Sequence, residues 1–396
     1  MNRALYRRSL RTTLTLVAAG VATLAVAGGS ALAATPGPSH LAACATKAST
    51  PVRAAHISGV IGAVPASAAC RAANNASHIQ SSINRAGNPA LGTPPLLFHG
   101  GKVMGTSSTG TLVITPIYWN PSGHPMASSY TSLITQYLTD VARASGATSN
   151  VYSILTQYTG TNGAVRYSFT LGTPISDTNA LPASGCTVAS NDRSGIYADG
   201  SGYNACLDDA QIQAQAKSVV SAHGLPINDA HLYLMYLPKA VESCFNAGST
   251  TTSSNACTIN HQPSAAFCAY HSIVSNGIVY GNLPFPIYQS GTGFTCGSEG
   301  TFGVIETPNS NPDGDTVINP TSHESSEAIT DPDTSTGWYD SSGFEIGDEC
   351  NFVYGSTSGT AGHISNQTIN GHHYLTQEEF SNSSFKASGG GCLQHP

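Results

Sequence analysis

Charged residues are scarce in this sequence. Only 9% of its 396 residues are Asp, Glu, Lys or Arg, and 15 basic residues stand against 22 acidic ones, so the formal net charge is −7. A nucleic-acid-binding protein needs a basic surface to neutralise phosphates. The sequence therefore argues against a nucleic-acid partner, and its many Ser, Thr, Asn and Gly residues suit the neutral polar surface of an extracellular protein.

Long apolar runs are missing beyond the N-terminal region. Residues 1–33 begin with several arginines, continue through "TLVAAGVATLAVAGG" and end in Ala31-Leu32-Ala33. This order is typical of a secretory signal peptide and predicts cleavage after Ala33. The apolar stretch is short for a membrane-spanning helix, and no second one follows. We therefore expect a secreted, extracellular and monomeric protein with no membrane span.

Several catalytic motifs are absent. The sequence contains no G-x-S-x-G elbow, phosphate-binding loop, dinucleotide fingerprint or C-x-x-C pair. Its ten cysteines, in a chain that we expect to be exported, indicate disulfides rather than thiolate ligands. Two cysteines, Cys44 and Cys70, stand apart near the N-terminus. For the other eight, many pairings are possible and spacing favours Cys186 with Cys206, Cys244 with Cys257, Cys268 with Cys296, and Cys350 with Cys392.

The texture of the chain changes near residue 96. Residues 34–95 are rich in Ala, Ser, Pro and Asn and contain no strand-like run, which is typical of a leader or pro-segment. Residues 96–396 alternate strand-like and helix-like patterns. We therefore predict one large α/β or α+β domain, with a mixed sheet, a metal-site helix and stabilising disulfides.

Four patterns give the main elements of this domain. Residues 111–119, "TLVITPIYW", predict a strand in which Pro116 favours a bend or an edge position. Apolar residues at helical spacing predict an amphipathic helix in 126–144. Residues 207–224 predict a capped helix that ends at Gly224. Residues 231–238 and 277–285 predict strands.

The stretch "INPTSHESSEAITDP", residues 318–332, carries His-Glu-x-x-Glu where zinc peptidases have His-Glu-x-x-His. Residues 315–330 predict a helix in which Pro320 either causes a kink or marks the first turn. If the helix begins at Pro320, with Asn319 as its cap, His323 and Glu327 share one helix face. A carboxylate oxygen binds zinc at about 2.0–2.2 Å, so Glu327 can replace the second histidine. In such a site Glu324 is the candidate general base.

A third ligand has to come from outside this helix. The downstream segment "TGWYDSSGFEIGDECNF" offers Glu345 as the first choice and Asp348 as the second. Eight of the 22 acidic residues lie between Glu324 and Glu349, and such a cluster needs either exposure to water or a cation. A solvated acidic helix and an oxygen-rich calcium site are therefore the alternatives to zinc.

Three other histidines favour plain structural roles. His372 and His373 follow a turn and indicate a surface hairpin. His271, close to Cys268, is interpreted as a hydrogen-bonded structural histidine.

Three segments carry a resemblance to a known family: "HGGKVMGTSSTGTLVITPIYW", "CAYHS" and "SHESSEAITDP" with "GWYDSSGFEIGDECNFVYG". Most of residues 97–396 resembles the EXORDIUM-like, phosphate-induced protein 1 family. Plant members are apoplastic proteins linked to cell expansion, and some keep the His-Glu-x-x-Glu and a later Glu-Ile-x-Asp-x-Cys. The resemblance implies a working metal site here, and its matching residues are His323, Glu324, Glu327, Glu345, Asp348 and Cys350.

Two hypotheses follow for the function. The first is a secreted zinc-dependent hydrolase of the metallopeptidase type, acting on a peptide or a cell-wall-associated substrate, with Glu324 as the base. The second is a non-catalytic extracellular or cell-wall interaction protein with a structural metal site. A purely structural site does not require Glu324, so this residue separates the two hypotheses.

Overall fold

The computed structural model describes residues 94–251, 257–258, 267–287, 296–341 and 343–396. The predicted signal peptide, nearly all of the predicted leader, and Cys44 and Cys70 lie outside these residues. The helices described are α1 (Ser128–Arg143), α2 (Asp209–Ala222), α3 (Glu299–Phe302), α4 (Pro312–Thr330) and α5 (Asn382–Ser388), with 3-10 turns at Val151–Gln157, Ser190–Asp192 and Asp348–Cys350. No helix among them has the length and apolar character needed to cross a membrane.

Most of the strands are short. They are β1 (Leu97–Phe98), β2 (Leu112–Trp119), β3 (Thr159–Gly160), β4 (Gly163–Ala164), β5 (Phe169–Leu171), β6 (Ile175–Asp177), β7 (Ala205–Asp208), β8 (His231–Tyr236), β9 (Val241–Cys244), β10 (Tyr270–Ile273), β11 (Val279–Leu283), β12 (Trp338–Tyr339), β13 (Gln367–Ile369), β14 (His372–Tyr374), β15 (Glu379–Phe380) and β16 (Cys392–Leu393).

A six-stranded mixed sheet forms the centre of the fold. Its order is β10-β11-β8-β2-β5, with β6 also paired to β2. All of its pairings are parallel except that of β10, which runs antiparallel to β11. This arrangement, with helices packed on the sheet, confirms the predicted α/β mixed-sheet class.

Helices cover both faces of the sheet. Strand β8 sends Leu232, Leu234 and Tyr236 into the core that contains α1 and α4. Its alternate residues Tyr233 and Met235 enter the core that contains α2. A strand buried on both faces is apolar at nearly every position, which explains why β8 was easily predicted.

Strand β2 is central, so the expected edge position is wrong. Pro116 nevertheless interrupts the sheet on one side. Its neighbour along Leu112–Ile114 is β5, whereas its neighbour along Ile117–Trp119 is β6. Because proline has no N–H to donate, the partner strand breaks there, while the pairing with β8 continues unbroken on the other side.

The predicted helices α1 and α2 are confirmed. Helix α1 buries the expected apolar face, and Asp140 is buried with it. Helix α2 begins with a capping box, in which Asp208 accepts from the backbone of Gln211 and the Gln211 side chain bonds back to Asp208. Between α1 and β3, Val151–Gln157 forms a 3-10 helix.

Helix α4 begins at Pro312, which is three residues before Asp315 and eight before Pro320, the two starts that the sequence predicted as alternatives. Its cap is Asn311, whose side chain accepts from Gly314 N, and Pro312 occupies the first turn. Pro320 lies inside the helix, and the expected cap Asn319 instead accepts a hydrogen bond from Gln377 N at 2.6 Å. The start at Pro320 is therefore wrong, and the longer predicted helix, with Pro320 in its interior, is closer to the structure.

Four disulfides join the described cysteines, in the pairing that the spacing favours. The bonds are Cys186–Cys206, Cys244–Cys257, Cys268–Cys296 and Cys350–Cys392. The last two anchor segments that reach the candidate site described next.

Candidate metal centre

Helix α4 is polar in sequence and yet buried along its length. Every residue from Gly314 to Thr330 is buried, which contradicts the solvated acidic helix considered as an alternative. Its hydroxyls bond locally: Thr321 donates to Val317 O at 2.8 Å, and Ser325 donates to Thr321 O at 2.6 Å. Helix α4 packs against β8, β10 and β11. Glu324 lies over Gly281 in β11, where an added Cβ would be in ordinary van der Waals contact, at 4.0 Å, with the Cβ of Glu324.

His323 and Glu327 occupy one face of α4, as predicted. The Nε2 atom of His323 lies 3.0 Å from Oε1 of Glu327 and 3.6 Å from Oδ1 of Asp348. The backbone N–H of Asp348 donates to Glu327 Oε1 at 3.1 Å. Asp348 is therefore the downstream carboxylate beside His323.

The segment from Glu345 to Asp348 folds tightly over α4. The backbone N–H of Glu345 donates to Asp348 Oδ2 at 3.2 Å, which fixes the Asp348 carboxylate against the backbone of this segment. Gly347 lies flat against the His323 ring, and a Cβ added there would come within 2.8 Å of His323 Nδ1. Only glycine therefore leaves the imidazole in place.

His271, interpreted from the sequence as a structural histidine, lies among the carboxylates of Glu324, Glu327 and Glu345. It comes from β10, and its Nδ1 atom is 3.4 Å from Glu324 Oε2 and 3.7 Å from Glu327 Oε2. Its Nε2 atom is 3.0 Å from the carbonyl oxygen of Asp331 and 3.6 Å from Glu345 Oε1. Sequence spacing could not predict this role of His271, because the carboxylates that it contacts lie more than 50 residues later in the chain.

Two further acids were not identified from the sequence. Asp331, the last-turn cap of α4, and Glu379, in β15, are both fully buried. In the part of the chain that the structure describes, neither carboxylate oxygen of Glu379 has a hydrogen-bond partner. The crowding of acids in the sequence includes Asp331, but it does not extend to Glu379.

The potential ligands fall into two groups that share Glu327. Ligand atoms of His271, Glu327 and Glu345 meet within 4.8 Å of one another, and so do those of His323, Glu324 and Glu327. Glu345 is thus placed with His271, whereas Asp348 is placed beside His323. A third group of this size in the described residues, Cys186, Cys206 and Cys244, is made of disulfide sulfurs and has no thiolate to offer.

The electrostatics of the centre follow from burial and from crowding. Burial raises the pKa of Glu345 well above its usual range, and the neighbouring Glu327 and Asp331 raise it further. Burial, with Glu327 next, also raises the pKa of Asp348 to about 7, although His323 opposes the shift. Burial alone lowers the pKa of His323, but Glu327 and Asp348 raise it by more, so the net shift is strongly upward.

These groups fit a metal ion. Buried polar atoms in proteins nearly always have a hydrogen-bond partner. Among the residues that the structure describes, Glu324 Oε1, Glu327 Oε2 and both oxygens of Glu345 find no such partner. In the described residues no Lys or Arg forms an ion pair with the cluster. Imidazoles and carboxylates that converge and leave several oxygens without a donor form a ligand set that suits a divalent cation.

The other histidines behave as expected. His372 and His373 lie on the exposed hairpin formed by β13 and β14. His372 Nδ1 is 2.7 Å from Asp140 Oδ2, away from the metal centre.

Comparison with known proteins adds no relative. No family model, no curated protein and no solved structure matches this chain, so any assignment of function depends on the geometry of the centre itself.

Proposed function

We propose that the protein is a secreted metal-dependent hydrolase of the peptidase type, with zinc as its metal. The observation that carries this proposal is the set of buried, unpartnered carboxylate oxygens around His323 and His271. Uncompensated buried charge is costly, and a cation is the simplest partner that satisfies all of these oxygens together.

The donor set favours zinc over calcium. Calcium takes six to eight oxygen ligands and rarely uses imidazole, whereas zinc combines nitrogen and carboxylate ligands. Glu327, the histidines and the downstream acids Glu345 and Asp348 would hold the ion. When bound, zinc supplies a Lewis acid that activates water or polarises a carbonyl.

Glu324 supports a catalytic role beyond metal binding. Its carboxylate is at the centre, and its Oε1 atom has no hydrogen-bond partner. A carboxylate held in this way can accept a proton from a water molecule, which is the task of a general base.

An extracellular role and a peptide or cell-wall-associated substrate remain part of the proposal. Four disulfides among the described residues are compatible with an oxidising compartment. The signal-peptide pattern and the resemblance to apoplastic proteins support the same location.

The test compares Glu324→Gln with Glu378→Gln. Glu378 is a half-buried acid next to Glu379 in the chain, and it belongs to neither ligand group. We expect Glu324→Gln to retain metal and to lose about 10²–10⁴-fold in the hydrolysis rate of a denatured protein or a peptide library. Glu378→Gln should match the wild type in both metal content and rate.

A structural metal site is the second candidate, because the centre is enclosed. The His271, His323, Glu327 and Glu345 side chains are at most 3% exposed, which suits a closed structural site better than an open catalytic one. Wild-type protein that contains metal but hydrolyses nothing in the library would favour this candidate. Wild-type protein without any bound transition metal would reject both.

A further inference from the structure

We propose that the centre binds two divalent metal ions, with Glu327 as the ligand that they share. His323 and Asp348 would complete the first site, and His271 and Glu345 the second. The inference rests on the metal-binding part of the proposed function, and it does not depend on catalysis.

Glu327 directs its two oxygens to different partners. Its Oε1 atom is 3.0 Å from His323 Nε2, while its Oε2 atom is 3.7 Å from His271 Nδ1 and has no hydrogen-bond partner within the described residues. One carboxylate between two imidazoles has the geometry of a bridging ligand. In two-metal sites the ions lie about 3.5–4 Å apart, a separation that a single carboxylate spans.

His271 is prepared for binding by its other ring nitrogen. Its Nε2 atom lies 3.0 Å from the carbonyl oxygen of Asp331, which can only accept, so the ring donates its proton there. A neutral imidazole that donates from Nε2 presents a lone pair at Nδ1. Metal-bound histidines commonly donate their second N–H to a backbone carbonyl in this way. Nδ1 faces the carboxylates of Glu324 and Glu327 at 3.4 and 3.7 Å, so an ion bound at this atom would also meet carboxylate oxygens.

The spacing of the ligand atoms fits one ion on each side. Two ligands bound at about 2.0–2.2 Å around a tetrahedral ion lie about 3.3–3.6 Å from each other. His323 Nε2 and Asp348 Oδ1 are 3.6 Å apart. His271 Nδ1 and Glu327 Oε2 are 3.7 Å apart.

The charge of the cluster also favours two ions. Six acids are buried together here, and ionised they carry six negative charges, of which one divalent cation offsets two. A second divalent cation halves the remaining negative charge. In a low-dielectric interior this reduces a large repulsion between the carboxylates. The six acids are Glu324, Glu327, Asp331, Glu345, Asp348 and Glu379.

The decisive measurement is the number of metal ions per chain in the purified full-length protein after loading with zinc and removal of excess. We expect about two in the wild type, about one in His271→Ala, about one in His323→Ala and fewer than one in Glu327→Gln. His372→Ala is the matched control, because that histidine also pairs with a buried acid but lies outside the centre, and it should keep about two.

A second measurement does not depend on a variant that folds. Wild-type protein loaded with manganese(II) should give an exchange-coupled electron paramagnetic resonance spectrum, as expected for two ions that share a carboxylate. A spectrum of isolated manganese, or one ion per wild-type chain, would overturn the proposal. Two ions retained in folded His271→Ala would overturn the assignment of His271.

The outcomes separate this inference from the proposed function. One ion per chain with hydrolysis would reject the second site and leave the hydrolase. Two ions per chain without hydrolysis would reject the hydrolase and leave the two-metal centre.

Discussion

Two groups of buried acids in this fold differ in the hydrogen-bond donors that surround their carboxylates. Asp209 accepts hydrogen bonds from the hydroxyls of Tyr270 and Tyr280 at 2.7 and 2.5 Å, and from Gln213 Nε2 at 2.6 Å. Around Glu327, by contrast, Glu324 Oε1, Glu327 Oε2 and both oxygens of Glu345 have no hydrogen-bond partner among the described residues. Burial of an acid is therefore not the sign of a functional site in this protein. The sign is burial in a place where the chain supplies no partner.

The largest expected effect is on the thermal stability of the Glu327→Gln variant. Occupancy at about 1,000 times the dissociation constant stabilises a fold by about 4 kcal/mol, so we expect a chelator to lower the melting temperature of the wild type markedly. Glu327→Gln should lose metal and with it this response. In chelator the variant should be more stable than the wild type, because one uncompensated buried charge is gone.

Thermal unfolding with and without chelator, together with metal analysis, checks this crossover. Glu378→Gln is the control and should respond to chelator as the wild type does. An equal chelator response in Glu327→Gln and the wild type would contradict the role of Glu327 as a ligand.

The second prediction concerns the satisfied acid. Asp209→Ala leaves two buried tyrosine hydroxyls without an acceptor, and each unpaired group costs about 1–3 kcal/mol. We expect the free energy of unfolding to fall by about 2–4 kcal/mol and metal content to stay unchanged. Urea unfolding measures the first quantity.

The added change Tyr280→Phe should restore part of the loss from Asp209→Ala, because it removes one stranded hydroxyl. A loss of metal in Asp209→Ala would blur the distinction between the two groups of acids.

The smallest effect is expected at Glu242, which lies between the two cases. Backbone N–H groups of Ser243 and Thr258 donate to its carboxylate, yet burial raises its pKa to about 7. Since its unfolded pKa is near the ordinary 4.5, the protonated form stabilises the fold fully below pH 4.5, and this contribution is lost as the pH rises through 7.

Glu242→Gln stays neutral throughout this range, so its stability should fall less than that of the wild type between pH 4.5 and 7. We expect a difference of about 1–3 kcal/mol over that window. Urea unfolding at several pH values measures it, and parallel profiles for the two proteins would count against a raised pKa.

Much of the fold could be predicted because its signals are local. The apolar spacing of α1, the capping residues of α2 and the apolar run of β8 each lie within one segment. The start of α4 could not, because Pro312 and Pro320 both suit a first turn and only the tertiary structure decides between them.

The residues of the candidate site also differ in whether local sequence signals could predict them. The motif on α4 and the acids of the following loop lie close in sequence, and the structure brings His323, Glu327 and Asp348 together. His271 and Glu379 arrive from distant strands, and their contribution depends on the pairing of β10 with β11 and on the placement of β15. Sequence spacing carries no information on such contacts.

The two disulfides nearest the centre have a consequence for the order in which the protein matures. Cys268 precedes His271 by three residues, and Cys350 follows Asp348 by two, so the Cys268–Cys296 and Cys350–Cys392 bonds pin two of the ligand segments. Each bond shortens the chain that must be searched before the ligands converge. We therefore expect the disulfides to form before the metal binds. A reduced chain should bind the metal with lower affinity.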